Sequence, residues 1–226
     1  MELDTVCTKG ETSTWQGFKQ AGSDPMVWIF AFIAHMHLAA NKFKNFFLTV
    51  VQTLGFGQTI TLVLTCPPHL IAGAVTIAVS WTSGKFNERT WHITISKAVA
   101  TMGFLVACFT PASSTVGRYL SMVIFTIGTY GVNSLILGWT GSTCGQRKEK
   151  KAVAIGIVCT VMNASFIWTP YLWPKSDAPG YKIALASSAG FSVATAATAW
   201  VAKVLVKKRN EKLVSEDDET TTFYVY

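Results

Sequence analysis

The sequence predicts an all-α polytopic membrane protein, and two observations carry this prediction. Half of the residues are hydrophobic and 14% are charged, whereas about a quarter are charged in an ordinary soluble domain. The charges also leave long gaps, at residues 25–41, 45–84, 98–117, 119–146, 152–174 and 183–202. A helix in water shows a polar face at every turn, so runs of this length indicate helices that face lipid.

Six membrane spans follow from these gaps, at about 25–52, 59–81, 93–110, 116–139, 152–174 and 182–206. The first begins at Asp24-Pro25, where a helix-capping residue precedes a proline. Pro67 and Pro68 predict a kink in the second span, because neither can donate a backbone hydrogen bond. The run from Ala152 to Pro174 has 23 residues without a charge, which at about 1.5 Å per residue crosses a bilayer core. The result is a predicted six-helix transmembrane bundle.

The charged segments between the spans predict the orientation and the domain limits. Residues 1–24 form a polar lead-in, 25–206 the transmembrane domain, and 207–226 a tail predicted to be disordered. With both termini in the cytoplasm, inside segments carry thirteen Lys and Arg residues and outside segments carry three, Arg118, Lys175 and Lys182. Loops rich in Lys and Arg stay in the cytoplasm. We therefore expect an integral membrane protein with both ends inside.

Several function classes lack support in the sequence. The net charge of +7 comes without an aromatic–basic RNA motif or a basic recognition helix, so no nucleic-acid partner is expected, and membrane lipid explains the charge better. The five cysteines are scattered without a CxxC spacing and are predicted to be reduced filler residues. No catalytic or metal-binding motif is present. We expect no enzymatic activity, no metal and no cofactor.

Polar residues inside the spans are the candidate functional groups. In the first span, His35, Lys42 and Asn45 fall on one helical stripe, and such a stripe faces a bundle interior or a water-filled cavity. Lys42 and Asn45 are candidates to hold a carboxylate substrate, with a purely structural role as the equal alternative. Each histidine is expected to be satisfied by its neighbours. For Asn163 an interhelical hydrogen bond is the preferred interpretation.

Six phrases in this order carry a family resemblance: GFKQAGSDPMVW, TLGFGQT, CPPHLIAGAV, SWTSGKFNERTWHI, LGWTGSTCGQRKEKKAVAIGIV and YLWPKSDAPGY. Together they resemble the C-terminal half of fungal major facilitator superfamily transporters, most closely the allantoate permease family of anion:cation symporters. The resemblance implies that the six spans are helices seven to twelve, one half of a major facilitator fold. It also implies a plasma-membrane secondary transporter that works by alternating access. The expected partners are a small organic anion, such as a ureide, vitamin or carboxylate, and a coupling proton.

The same resemblance extends the list of site residues and raises a question of completeness. It implies that Tyr130, Asn133 and Asn163 line the substrate path with Lys42 and Asn45. In the loop Ser80–Arg89, Gly84 stands where the superfamily has an acidic residue, so Lys85 and Arg89 are expected to lack their usual partner. A homodimer or a missing N-terminal half would complete the fold. The alternative function is a truncated, transport-inactive membrane fragment or interaction partner.

Overall fold

The computed structural model describes residues 14–41, 57–111, 114–145, 147–177 and 180–215. Within these ranges the secondary structure is helical, with no strand. The helices are α1 (Thr14–Gly22), α2 (Pro25–Asn41), α3 (Gln58–Phe86), α4 (Thr90–Phe109), α5 (Thr115–Tyr130), α6 (Val132–Thr143), α7 (Lys148–Trp168) and α8 (Lys182–Ser215). Two 3₁₀ turns, Thr169–Leu172 and Lys175–Asp177, join α7 to α8. The predicted all-α class is confirmed.

Five stretches of the described chain are long and apolar enough to cross a membrane: Leu62–Phe86, Thr90–Phe109, Thr115–Thr143, Lys148–Leu172 and Lys182–Glu211. They coincide with the second to sixth predicted spans. The fourth span is built from α5 and α6, which Gly131 separates. The apolar α2 has 17 residues and covers the first part of the predicted span 25–52. The last helix continues through Ser215, past the predicted end of the span at Val206.

Helix α4 lies between α5 and α8, and α2 lies between α7 and α8. One hydrophobic cluster joins α2, α6, α7 and α8 around Phe30 and Trp139, whose rings meet edge to face at 5.1 Å. A second cluster joins α4, α5 and α8 around Phe104 and Phe125, which stack at 4.5 Å. Dispersion and close packing hold such helices together, because lipid supplies little hydrophobic driving force between them.

Glycines bring α4 and α5 into backbone contact. A Cβ atom on Gly128 would lie 2.5 Å from the backbone N of Ala100, and one on Gly103 would lie 2.6 Å from the backbone N of Phe125. In α8, by contrast, only some of the small residues lie at helix contacts. Ala184 and Ser188 are buried, while no atom of the described residues lies within 4 Å of a Cβ on Gly190. Gly190 thus brings no other described helix into close contact.

Helix α3 runs without interruption through Pro67 and Pro68. In a regular helix the N–H of residue 68 would donate to the carbonyl of Leu64, and proline has no such N–H. The hydroxyl of Tyr119, on α5, donates to this same Leu64 carbonyl at 2.9 Å. A side chain of the neighbouring helix thus satisfies a carbonyl that the proline leaves unbonded, as membrane helices require.

We expect Tyr119→Phe to lower the free energy of unfolding by about 1 kcal/mol or less, because one interhelical hydrogen bond is lost. The measurement is unfolding of the chain in detergent micelles. Tyr171→Phe is the matched control, since Tyr171 is 84% exposed. Equal stability of Tyr119→Phe and Tyr171→Phe would show that the Leu64 carbonyl needs no partner.

Ion pairs gather the segments predicted to be cytoplasmic at one end of the bundle. The Asp24 carboxylate, just before α2, accepts from Lys150 Nζ of α7 at 2.6 Å and lies 3.5 Å from Arg209 Nη1 of α8. Lys203 Nζ of α8 donates to Glu88, between α3 and α4, at 2.6 Å. The helices therefore alternate in direction as predicted. Which side of a membrane this end faces stays a prediction.

The loop between α3 and α4 is held by a residue that the family resemblance does not point to. Neither Lys85 nor Arg89 has a carboxylate partner among the described residues. Lys85 Nζ lies 5.3 Å from the ring centre of Trp81. Arg89 packs against Gly138 of α6, and burial lowers the pKa of its guanidinium. Glu88, through Lys203, makes the contact that ties the loop to α8.

Candidate functional site

Polar groups collect where α5 gives way to α6. Tyr130 ends α5, Gly131 is a single turn residue with helical backbone angles (φ −69°, ψ −22°), and Asn133 lies in the first turn of α6. The Tyr130 ring meets His69 of α3 edge to face, with ring centres 5.4 Å apart. A Cβ on Gly131 would stand 3.5 Å from Thr76 Cα, so α3 covers the break. We call Tyr130, Asn133 and His69 the helix-break cluster.

The chemistry of the helix-break cluster suits a solute that carries hydrogen-bond donor groups. The Oδ1 atom of Asn133 is buried and has no hydrogen-bond partner among the described residues. A buried acceptor without a partner carries a desolvation cost, and a donor group on a bound molecule would remove it. The Tyr130 hydroxyl can donate or accept. His69 Nδ1 lies 2.7 Å from the Thr65 carbonyl, and because a carbonyl only accepts, Nδ1 carries a proton.

Two of the predicted site residues, Tyr130 and Asn133, thus come together. Asn163 does not join them: it is exposed on α7, and its Nδ2 donates to the Cys159 carbonyl of the same helix at 2.7 Å. The side-chain bond that Asn163 makes among the described residues is thus within α7, and a hydrogen bond from Asn163 to another helix stays a prediction. Lys42 and Asn45 lie outside the described residues.

His35 agrees with the expectation that neighbours satisfy the histidines. The indole N–H of Trp168 can only donate, and it donates to His35 Nε2 at 3.2 Å. Nδ1 must then carry the ring proton, which it donates to the Val161 carbonyl at 2.8 Å. This arrangement fixes a neutral imidazole between α2 and α7. His35 is a structural link rather than a member of the helix-break cluster.

Cysteine chemistry is absent from the described part of the site. Cys66, Cys108, Cys144 and Cys159 are all free thiols. Burial, with a smaller contribution from the charge of Asp24, raises the pKa of Cys144 to about 11. A thiol with so high a pKa is neither a nucleophile nor a metal ligand near neutral pH. No disulfide joins these four residues, and their redox state stays a prediction.

Two buried cations were not anticipated from the sequence. Lys97, on α4, is 0% exposed, and its Nζ has no hydrogen-bond partner among the described residues. Thr94 lies less than one turn before Lys97 in the same helix, and it accepts a hydrogen bond from the indole N–H of Trp200 of α8. Arg118, one of the three basic residues that the sequence assigns to outside segments, is also buried, at 4% exposed. It lines a small cavity with Trp173 and Tyr181.

A sequence signal for Lys97 does exist. Ile93, Lys97, Ala100 and Phe104 recur at spacings of three and four residues, which puts the lysine in the centre of a packing stripe. Because Lys97 lies near the end of the predicted span 93–110, the sequence suggested a position at the membrane interface instead. A buried ionisable group within a span is costly and marks a functional candidate.

Comparison with known proteins gives relatives of one kind. An uncharacterized transporter of Schizosaccharomyces pombe is 29% identical over 180 residues, covering 78% of this chain and 35% of the relative. The MFS transporter prlL, from a fungal species, is 30% identical over 94 residues, 42% of this chain and 19% of its own length. The major facilitator-type transporter hxnP of Emericella nidulans is 28% identical over 133 residues, 56% of this chain and 27% of the relative. No family model matches the chain.

These matches leave most of each relative uncovered. The chain spans about a third of the length of the first of these relatives, 35%. The relatives are named as transporters and not as enzymes. The chain is therefore an all-α membrane protein whose curated relatives are fungal transporters of the major facilitator type, each matched over part of its length.

Proposed function

We propose that the chain is the C-terminal half of a major facilitator transporter of the allantoate permease family, in which it binds a small organic anion and moves it by alternating access. The matches to fungal transporters support the transporter class. The substrate class, a ureide, vitamin or carboxylate, and a plasma-membrane location rest on the family resemblance of the sequence phrases. A homodimer or a separate N-terminal half would supply the other side of the pathway.

The observation that carries the site proposal is the unpartnered Asn133 Oδ1 beside a helix break. An acceptor without a partner inside a membrane span is satisfied when a solute that carries a hydrogen-bond donor binds beside it. Tyr130 and His69 add two further polar groups at the same level. Lys42 and Asn45 are proposed to supply the cation and amide that an anion needs. Asn163 is exposed on the surface of the described bundle. It would contact the substrate only if the substrate path passes along that surface.

A coupling proton remains part of the proposal. The predicted spans contain no Asp or Glu, so a carboxylate carrier within them is excluded. Lys97 is a buried amine with no hydrogen-bond partner among the described residues. A buried amine that exchanges a proton would change the charge inside the bundle, which is the event that proton coupling requires.

We expect Asn133→Ala to reduce substrate uptake about tenfold, because the solute would lose the hydrogen bond that one of its donor groups makes to Asn133 Oδ1. The measurement is initial uptake of labelled small carboxylates and ureides by cells that express the chain, normalised to the amount of protein in the membrane. Ser187→Ala is the matched control, because its hydroxyl bonds within its own helix, to Ile183 at 2.8 Å. Equal uptake by both variants would remove Asn133 from the site.

One observation motivates the alternative, a transport-inactive fragment or interaction partner: the chain matches about a third of the length of the first relative, 35%. The large apolar side chains that α3 exposes, among them Val63, Leu70, Ile77 and Trp81, fit either lipid or a second membrane protein. If this alternative holds, the chain will copurify with another membrane protein and will show no uptake of its own in any pairing.

A further inference from the structure

We infer that the groove between the start of α2 and the end of α8 binds an anionic phospholipid. The groove has a volume of about 580 Å³ and is lined by Asp24, Pro25, Met26, Ile29, Leu205, Lys208 and Arg209. This proposal does not depend on the transport function. It concerns a surface far from the helix-break cluster and a ligand drawn from the bilayer itself.

The groove is amphipathic along its length. Met26 and Ile29 of α2 and Leu205 of α8 give it an apolar floor. Lys208 and Arg209 stand one turn further along α8, at its rim. An acyl chain would contact the apolar floor while the phosphate meets the two cations. A phospholipid has this arrangement, with an apolar chain joined to a charged head group. A soluble anion would leave the apolar floor in water.

The net charge of the groove is positive although it contains Asp24. That carboxylate is already neutralised, since Lys150 Nζ lies 2.6 Å from Oδ2 and the backbone N–H of Met26 donates to Oδ1 at 3.1 Å. Lys208 is exposed and has no hydrogen-bond or ion-pair partner among the described residues. Its ammonium group is therefore available to a phosphate. Each basic residue near a membrane surface strengthens the binding of anionic lipid.

Aromatic residues place this end of the bundle at a membrane interface. Trp15 and Phe18 of α1 are 73% and 52% exposed and stack at 5.8 Å. Trp28 of α2 is 51% exposed, and its indole N–H donates to the Gly22 carbonyl at 2.8 Å. Exposed Trp with a satisfied N–H is typical of the head-group region. The Trp28 indole thus reaches back to within two residues of Asp24, at the rim of the groove, which fits a groove that meets lipid head groups.

The test is native mass spectrometry of the delipidated full chain, titrated with phosphatidylserine or with phosphatidylcholine. We expect phosphatidylserine to bind at least several-fold more tightly. Lys208→Gln should weaken phosphatidylserine binding about five-fold, whereas Lys207→Gln should change it less than two-fold. The two variants lose the same charge on adjacent exposed residues, and only Lys208 lines the groove.

Two further measurements separate the lipid from other ligands. Leu205→Trp should fill the floor and abolish the preference for phosphatidylserine, while Val204→Trp, on an exposed neighbour, should preserve it. Inorganic phosphate at millimolar concentration should not displace the lipid. Equal losses in Lys207→Gln and Lys208→Gln, equal binding of the two lipids, or full displacement by phosphate would each overturn the proposal.

Discussion

Replacing Asp24 by Asn is expected to lower the free energy of unfolding by about 3–5 kcal/mol, the usual cost of removing one member of a buried ion pair. Asp24 is 8% exposed and Lys150 has a side-chain exposure of 9%. The variant would leave the Lys150 ammonium without its counter-ion inside the packed end of α2, α7 and α8. Arg209, 3.5 Å from the same carboxylate, would lose this contact with a negative charge as well. The measurement is equilibrium unfolding of the chain in mixed micelles.

Two controls isolate the ion pair. Glu88→Gln breaks the Glu88–Lys203 contact, whose side chains are 24% and 21% exposed, and should cost about 1 kcal/mol or less because water screens it. Asp24→Asn combined with Lys150→Met should recover much of the lost stability, since the unpaired charge is then gone. If Asp24→Asn is no less stable than Glu88→Gln, the buried Asp24–Lys150 pair contributes no more to the free energy of unfolding than the exposed Glu88–Lys203 pair.

The stability of the wild-type chain should also depend on pH through Asp24. Burial by itself raises the pKa of this carboxyl, but the hydrogen bonds from Lys150 and Met26 and the charges of Lys150 and Arg209 outweigh it and hold the pKa below 3.8. A lowered pKa stabilises the folded chain fully above the unfolded pKa of about 3.9. That stabilisation is lost as the pH falls through the folded value. The difference between wild type and Asp24→Asn should therefore shrink below about pH 4.

Gly128→Ala is expected to destabilise the chain by about 1–3 kcal/mol, the range for overpacking a close contact. The new methyl group would stand 2.5 Å from Ala100 N and 2.6 Å from the Ser96 carbonyl oxygen. Both are backbone atoms, so no side chain can rotate away, and α4 and α5 must separate. The measurement is the midpoint of thermal unfolding in detergent.

Gly73→Ala is the matched control for Gly128→Ala. Gly73 lies within α3, and nothing stands within 4 Å of its Cβ position. Alanine stabilises a helix interior by about 0.5–1 kcal/mol relative to glycine, so this variant should be as stable as wild type or slightly more stable. If both variants unfold at the same temperature, the contact between α4 and α5 is more compliant than the distances indicate.

Much of the fold could be predicted from the sequence because the lipid environment constrains it. Charge-free runs give the spans directly, and the distribution of Lys and Arg gives alternating directions that the Asp24–Lys150 and Glu88–Lys203 contacts now confirm. Which face of each helix contacts a neighbouring helix was less predictable. Small residues in α8 and in α5 look alike along the chain, yet Gly128 makes a backbone contact and Gly190 faces open space. Rotation of a helix about its axis depends on neighbours that the local sequence does not specify.

Only part of the site could be predicted, because contacts within one stretch of chain follow from the sequence and contacts between helices do not. Tyr130 and Asn133 belong to one short stretch, so a single helix break brings them together. His69 joins them from α3, a contact that requires knowing how α3 packs on α5. Asn163 was assigned to the same path, but its side chain bonds within its own helix. The burial of Lys97 between packed helices was missed because the lysine lies near the end of its span, where such residues usually reach water.

Uptake by cells that express the chain tests the central claim most directly. The chain is compared alone and joined to the first six spans of a curated fungal relative, in cells that lack permeases for ureides and small carboxylates. The account predicts saturable accumulation of at least one such anion in one of the two forms, and its loss in Asn133→Ala at unchanged membrane expression. No accumulation in either form, with both proteins verified in the membrane, would contradict it.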